Sequence, residues 1–399
     1  MKKGKKLLAL IVGVVMIATM AITFAACGNS ASTTRADVFW YRYGDAFLTT
    51  VREGDNGLTK LLGDFDRVVD HDSDNKQATQ TDQVKEAIAA GTNLLIVNIV
   101  DSADNTAAQS IVDMAKDAGL PIIFFNREVA DSIVNSYDKC MFIGTKPEEA
   151  GIMEGQLIAQ FLLKDENQTA GNSNYANASG VIKYAILRGG LDNPEAQYRS
   201  LYSIRTAQAL ITAAGKTWTL TNAYVSGNGW TTPGAAWLNN AKDAEEKALS
   251  DADKAIMGGY IYGTDEWDGE IAAAEFKKAF ASAADAQNKD KLGIIVGNND
   301  GMALGVIEYL KNDLNLNKTA TGAIPVFGVD ATADALTAMK AGSMVGTILQ
   351  SNVNYAKLIA RFAYISVGNF KSSLKVAVAY TQDSGIAKVR MPYEIVDKA

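Results

Sequence analysis

Leu94-Leu95-Ile96-Val97-Asn98-Ile99-Val100 decides the fold. A strand with this composition shows no polar alternation, so neither face can be left in water. It must be covered on both sides, as in a parallel sheet between helix layers. Two segments of helical periodicity flank it, residues 81–90 and 107–118, and a further apolar run follows at 121–125. Upstream, residues 38–43 and 66–69 read as strands. Downstream the theme repeats, with strands at 141–144, 181–187, 292–296, 326–329 and 345–349. Helices are predicted over 148–163, 194–214, 269–284, 302–312, 333–341 and 354–366. The alternation predicts an α/β fold, a doubly wound parallel sheet formed twice over as two lobes. Residues 227–265 do not fit the repeat and read as an insertion in the second lobe, with a Lys/Asp/Glu-rich helix around 241–249.

The amino-terminal end carries a different signal. Lys2, Lys3, Lys5 and Lys6 precede an apolar run over residues 7–24, then Ala25-Ala26-Cys27 and the polar tract Gly28-Asn29-Ser30-Ala31-Ser32-Thr33-Thr34. That order predicts an export signal peptide over residues 1–26, lipidation of the Cys27 thiol and a flexible linker over 27–36. An uncleaved amino-terminal anchor is the competing reading, since the run approaches membrane-spanning length. Both readings place the globular part outside the cytoplasm, tethered to a cell membrane.

The composition is that of a folded globular chain, with 48 % hydrophobic and 21 % charged residues and a net charge of −7. The acidic balance argues against nucleic acid as a partner, because phosphate binding draws on clustered Lys and Arg. Of two cysteines, Cys27 belongs to the export signal, which leaves Cys140 without an intramolecular disulfide partner; it reads as a buried filler of the 140–143 strand. His71 is the one histidine and reads as part of a polar loop. Zinc sites and Ser–His or Cys–His catalytic groups are thereby excluded. The neighbouring Asp/Asn run lacks the later Glu and Gly of an EF-hand loop. No residues are predicted as catalytic and none as a metal site.

Ligands of doubly wound sheets sit beyond the carboxyl ends of the strands, and those ends are polar throughout this chain. Asp45 and Phe47 follow the first strand, and Asn98 and Asp101 lie in and after the third. Asn193, Glu195 and Arg199 follow 181–187; Asn298, Asn299 and Asp300 follow 292–296. Asp330 and Gln350 end the last two strands. Amides, carboxylates and a guanidinium donate and accept in pairs, which matches vicinal hydroxyls, while an aromatic face covers the C–H surface of a sugar ring. Each residue alone reads equally well as a helix cap. Recurrence at nearly every strand end carries the sugar reading.

Several longer pieces belong with this set: Tyr41-Arg42-Tyr43-Gly44-Asp45-Ala46-Phe47, Gln80-Thr81-Asp82-Gln83, Asn98-Ile99-Val100-Asp101 and Phe124-Phe125-Asn126-Arg127-Glu128. Ser136-Tyr137-Asp138-Lys139, Asn193-Pro194-Glu195, Asn298-Asn299-Asp300, Pro325-Val326-Phe327-Gly328-Val329-Asp330-Ala331 and Val389-Arg390-Met391-Pro392-Tyr393 complete it. Together they resemble the galactose/glucose-binding substrate-binding proteins of ABC sugar importers, from residue 38 to 397 apart from the insertion. The resemblance implies the periplasmic-binding-protein-like I fold, with a three-strand hinge between lobes. The implied boundaries are 37–125 plus 352–380 for the first lobe and 126–350 plus 386–399 for the second. Crossings are expected near 126, 350–352 and 381–385.

The resemblance further implies a non-enzymatic monomer that captures a monosaccharide, galactose or glucose, in the interlobe cleft. The sugar would be delivered to an ABC permease and its ATPase. Asp45, Phe47, Asn98, Arg199, Asn299 and Asp330 would build the pocket. Asn193 stands where the family has His, Glu195 where it has Asp and Gln350 where it has Asn; all three still form hydrogen bonds, with altered reach and donor count. Trp267 and Trp230 compete for the second sugar-stacking ring. Trp267 is favoured, because a helix of suitable length leads from it to the Asn299 strand. Relatives also hold calcium before the strand leading to Asn193. Here residues 174–183 contain no carboxylate, and Gly293 replaces a distant Glu, so no cofactor is expected. Two alternatives in other classes fare worse: a repressor lacks its helix-turn-helix, and no carboxylate pair stands out for a glycosidase. A sensor module, or a receptor for a different small ligand, keeps the same fold.

Overall fold

The computed structural model describes residues 34–227, 229–262, 266–316, 324–368 and 378–397. The predicted signal peptide, Cys27 and most of the 27–36 linker lie outside the described residues.

Leu94–Val97 and Ile122–Phe125 are buried at every position and occupy the middle of a seven-stranded sheet. Its order is Thr381–Gln382, Lys388–Arg390, Cys140–Gly144, Ile122–Phe125, Leu94–Val97, Arg35–Trp40, Arg67–Asp72, and only the first pair is antiparallel. Alternate residues serve opposite faces. Leu94 and Ile96 join one core with Leu48, Val51, Leu358 and Ile359, and Leu95 and Val97 join another with Val84, Ala108 and Ile111. The unbroken apolar run is therefore explained by two cores, one on each face.

The second sheet follows the same logic. Its order is Trp230–Thr231, Tyr260–Tyr262, Val181–Arg188, Ile294–Gly297, Val326–Asp330, Gly346–Leu349, Glu394–Val396. Helices Pro147–Leu163 and Pro194–Ala213 cover one face, and Gly269–Ala279, Asp300–Asn312 and Ala333–Lys340 the other. Thr219–Asn222 runs beside the first half of Val181–Arg188, and Tyr260–Tyr262 beside its last residues. Between them the chain adds the edge strand Trp230–Thr231, antiparallel to Tyr260–Tyr262. The predicted insertion thus supplies two strands of the sheet.

Four expectations are corrected. Cys140–Gly144 pairs with Ile122–Phe125, so the chain does not leave the first sheet at residue 126; it does so after Gly144, into the helix Pro147–Leu163. Lys388–Arg390 lies beside Cys140–Gly144, which moves the last crossing from 381–385 to the residues before Glu394–Val396. The crossing after Leu349 falls where expected, and the helix Asn352–Ser366 that follows packs on the first sheet. Next, residues 241–249 are not a helix. The Asp243 side chain accepts from the amides of Glu245 and Lys247, a local bond that competes with helix formation. The helices flank that turn, at Ala235–Asn240 and Asp251–Met257. Finally, His71 lies in the strand Arg67–Asp72, stacked on Phe39 with its Nε2 2.7 Å from Asp37. Cys140 is buried as expected, and burial pushes its thiol up to about 12.

Candidate functional site

Three of the predicted residues are helix caps, and capping is what aims them. The Asp45 Oδ1 accepts from the Leu48 amide at 2.8 Å, at the start of Ala46–Arg52. Asn193 accepts from the amides of Glu195 and Ala196, at the start of Pro194–Ala213. Asn299 accepts from the Met302 amide at 2.9 Å, at the start of Asp300–Asn312. Such bonds satisfy orphan amides and hold the side chain in one rotamer. Cap and site are here the same residue.

These three helix starts meet at a cavity between the two sheets. From the first-sheet side come Asp45 and Phe47; from the second come Asn193, Glu195, Arg199, Trp267, Asn299 and Asp330; Gln350 joins from the crossing after Leu349. The cavity is narrow, about 40 Å³, against ~300–1,000 Å³ for typical small-molecule pockets. Admission of a ring-sized molecule requires the two walls to part. Trp267 lines the cavity, whereas Trp230 packs between Tyr224 and Phe280. The Trp267 ring lies over Gly189, where a Cβ would come within 2.7 Å of the indole. Phe47 is held edge-on to Tyr355.

Asn98 is the exception. It is fully buried, donates from Nδ2 to the Phe125 carbonyl and to Asn126 Oδ1, and accepts from the Tyr41 amide. It sits behind the wall and supports Asn126, whose φ of 66° is left-handed. Three lining residues were missed: Tyr41, Asn126 and Arg127. All three lie in motifs whose side chains carried no separate signal. Tyr41 donates to Asp45 at 2.7 Å; Arg127 stacks over the Tyr41 ring and donates to the Val100 carbonyl.

Arg199 organises the second wall. Its Nη1 donates to the Asn298 carbonyl at 2.8 Å, and its Nη2 to Gln350 Oε1 at 3.0 Å and the Tyr393 hydroxyl at 3.2 Å. Tyr393 also bonds Thr145, and Gln350 donates to Tyr355. One guanidinium therefore reaches the crossings near 145, 350 and 393. Asp330 lies 4.0 Å from it, at φ 124° and followed by Ala331 at φ 55°. Two successive residues in sparsely populated conformations mark stored strain, which persists where the surroundings over-determine it.

Burial dominates the site's electrostatics. It pushes the Glu195 carboxyl up to about 7, Arg199 pulling the other way, and leaves one Glu195 oxygen without a hydrogen-bond partner. Burial also raises the Asp330 carboxyl well above the ordinary range, again against Arg199. A buried polar atom without a partner costs free energy unless something fills the place. The arrangement suits a neutral ligand rich in both donors and acceptors.

In the loop before Val181–Arg188, the Asn177 Oδ1 accepts from the amides of Ser179 and Val181, and its Nδ2 donates to Asp290 at 2.8 Å. A Cβ on Gly293 would lie 2.6 Å from the Tyr175 carbonyl. The Asn174 and Asn177 side-chain oxygens are engaged within the loop, and no side chain fits at 293 without displacing the Tyr175 carbonyl. Among the described residues no cluster of three or more His, Cys, Asp or Glu is placed to hold a metal ion.

The chain is 28 % identical to a D-galactose/methyl-galactoside binding periplasmic protein from Haemophilus influenzae, over 96 % of both chains. The fold matches an ABC transporter solute-binding protein from Bacillus halodurans with bound myo-inositol (TM-score 0.60, 21 % identity, 93 % of this chain and 96 % of that one). It also matches one from Clostridium phytofermentans with bound β-D-glucose (TM-score 0.60, 15 % identity, 91 % and 94 %). A family model described as a periplasmic binding protein domain matches residues 36–368, and on that span the chain belongs to this family of solute-binding proteins, which are not enzymes.

Proposed function

We propose that this protein works outside the cytoplasm, closes its two lobes on a hexose, galactose or glucose, and presents it to an ABC permease. The observation that carries this reading is the convergence of nine predicted polar and aromatic residues from both sheets on one cavity. The full-length galactose-binding relative supports the choice of hexose. The planar Trp267 and Phe47 would cover the C–H faces of a pyranose. Asp45, Asn193, Glu195, Arg199, Asn299 and Asp330 would meet its hydroxyls, while Gln350 and Asn98 hold Arg199 and Asn126 in place. Calorimetry against a panel of monosaccharides tests it. Saturable binding of galactose or glucose is expected, with a raised melting temperature; absence of binding to any hexose overturns the reading. The same fold as a sensor input module remains the second reading, and sugar uptake by cells lacking the gene separates the two.

We further propose that the protein is a monomer and that Cys27 carries the lipid. Mass spectrometry of membrane-extracted protein should find a lipidated amino-terminal cysteine, and a mature terminus elsewhere would refute this. The engaged loop at 174–183 supports a calcium-free protein with no other cofactor.

A further inference from the structure

The Glu266 carbonyl, in the second lobe, meets two groups from the first. Arg42 Nη2 donates to it directly, and the Tyr41 hydroxyl, whose one proton goes to Asp45, lies 3.4 Å away. Arg42 Nη1 also donates to Glu266 Oε2 at 3.1 Å, and Asp268 stands 3.9 Å from the guanidinium. Residue 267, between these two partners, is the tryptophan that walls the cavity. Its φ of 58° is left-handed, a conformation that costs a bulky residue free energy and needs outside support. Within its own lobe Trp267 is held by Asn299, whose Nδ2 donates to its carbonyl at 3.2 Å, and by Asp268, which caps Gly269–Ala279. Its ring also packs on that lobe's core, with the Arg199 guanidinium 5.7 Å from the ring centroid; Arg42 adds support from across the cleft.

We propose that Arg42 is a positioning residue for the ligand: reaching across the cleft, it fixes the backbone on the near side of Trp267, so the stacking wall is complete only while the lobes are together. The inference rests on the cavity being a sugar site. Opening removes the Arg42 donor from the Glu266 carbonyl and leaves the strained Trp267 braced from its own lobe alone. A bound ring then keeps Arg42 in contact with Glu266, and the contact in turn keeps the indole on the ring. The effect belongs to dissociation, since the contact holds the closed arrangement from which a bound ring must escape. The pair is partly exposed, Glu266 at 38 % and Arg42 at 17 %, so the gain is modest.

The test is stopped-flow Trp fluorescence with whichever hexose binds the wild type best. Arg42→Ala should raise koff roughly 3- to 5-fold and leave kon within twofold, with Arg42→Lys in between. A koff within twofold of wild type in folded Arg42→Ala overturns the proposal, as does a loss of affinity carried by kon. If the wild type binds no hexose, the sugar reading has failed and the contact is judged separately. Spin labels, one per lobe, should then show a wider interlobe distance in Arg42→Ala; an unchanged distribution overturns it.

Discussion

Asp37 and the cavity acids Glu195 and Asp330 are all buried, yet they are treated in opposite ways. Asp37, in the first sheet, has both oxygens engaged: Arg35 donates to it at 2.7 and 2.8 Å, and His71 Nε2 lies at 2.7 Å. Burial works to raise its carboxyl, but these bonds outweigh it and hold it down at about 2. In the cavity, Glu195 keeps an oxygen without a partner, and Asp330 has its nearest cation 4.0 Å away. Burial wins there, and both carboxyls are pushed up. Asp37 has its partners inside the fold and serves the fold. Glu195, which lines the cavity, keeps an oxygen wanting a partner, and the molecule carries that cost until something fills the place.

The largest expected effect tests the first half of that contrast. Asp37→Ala should destabilise by roughly 3 kcal/mol, the lower end of the range for breaking a buried pair, because Arg35 and His71 can still reach water. Urea unfolding measures it, and hexose affinity should stay within twofold of wild type. A clear affinity loss would mean that Asp37 is not merely structural.

Next come the cavity acids and their cation. Asp330→Ala, Asp45→Ala and Arg199→Ala should each weaken hexose binding by about 10- to 150-fold, or ~1.5–3 kcal/mol, the worth of charge-assisted hydrogen bonds. Asp330→Ala should do so with little loss of unfolding stability, since burial already works against the charged form of the Asp330 carboxyl. Binding within twofold of wild type in any of the three, still folded, would break the interlobe site.

A smaller effect separates the two groups by pH. The Asp37 contribution is fully present above the unfolded carboxylate value near 3.8 and is lost as pH falls through about 2. Glu195 has the opposite sign. Its folded value of about 7 lies above the ordinary carboxyl value of 4.5, so the native state holds a proton that the unfolded state has released, and stability falls as pH rises between those values. Glu195→Gln should therefore raise Tm at pH 8 and leave it unchanged at pH 4. A gain at both pH values would mean that the benefit is packing, not ionisation. Smallest of all, millimolar calcium should leave Tm unchanged; a rise reversed by chelator would show that the 174–183 loop binds it.

Much of the site was legible because strand ends are local. An apolar run ending in Asn299 or Asp330 announces both the strand and the residue beyond it. Tyr41 and Arg127 were illegible as lining residues because their roles depend on each other: the Arg127 guanidinium stacks on the Tyr41 ring from a strand end more than eighty residues away in sequence. Asn98 misled for the opposite reason. Its position at a strand end was right, but the neighbouring Asn126, turned inward at positive φ, takes the place in front of it.

The sequence by itself determined the alternation of strand and helix, the two covered faces and the polar character of the strand ends, since all three follow from periodicity within a dozen residues. Tertiary structure decided which sheet each strand joins. Cys140–Gly144 is equally apolar for either lobe, and only its pairing with Ile122–Phe125 and Lys388–Arg390 assigns it to the first. It also decided which buried acids are satisfied. Hydrogen-bond partners such as Arg199 and Gln350 are 151 residues apart in the chain, and no local pattern encodes a distance that only the packed sheets create.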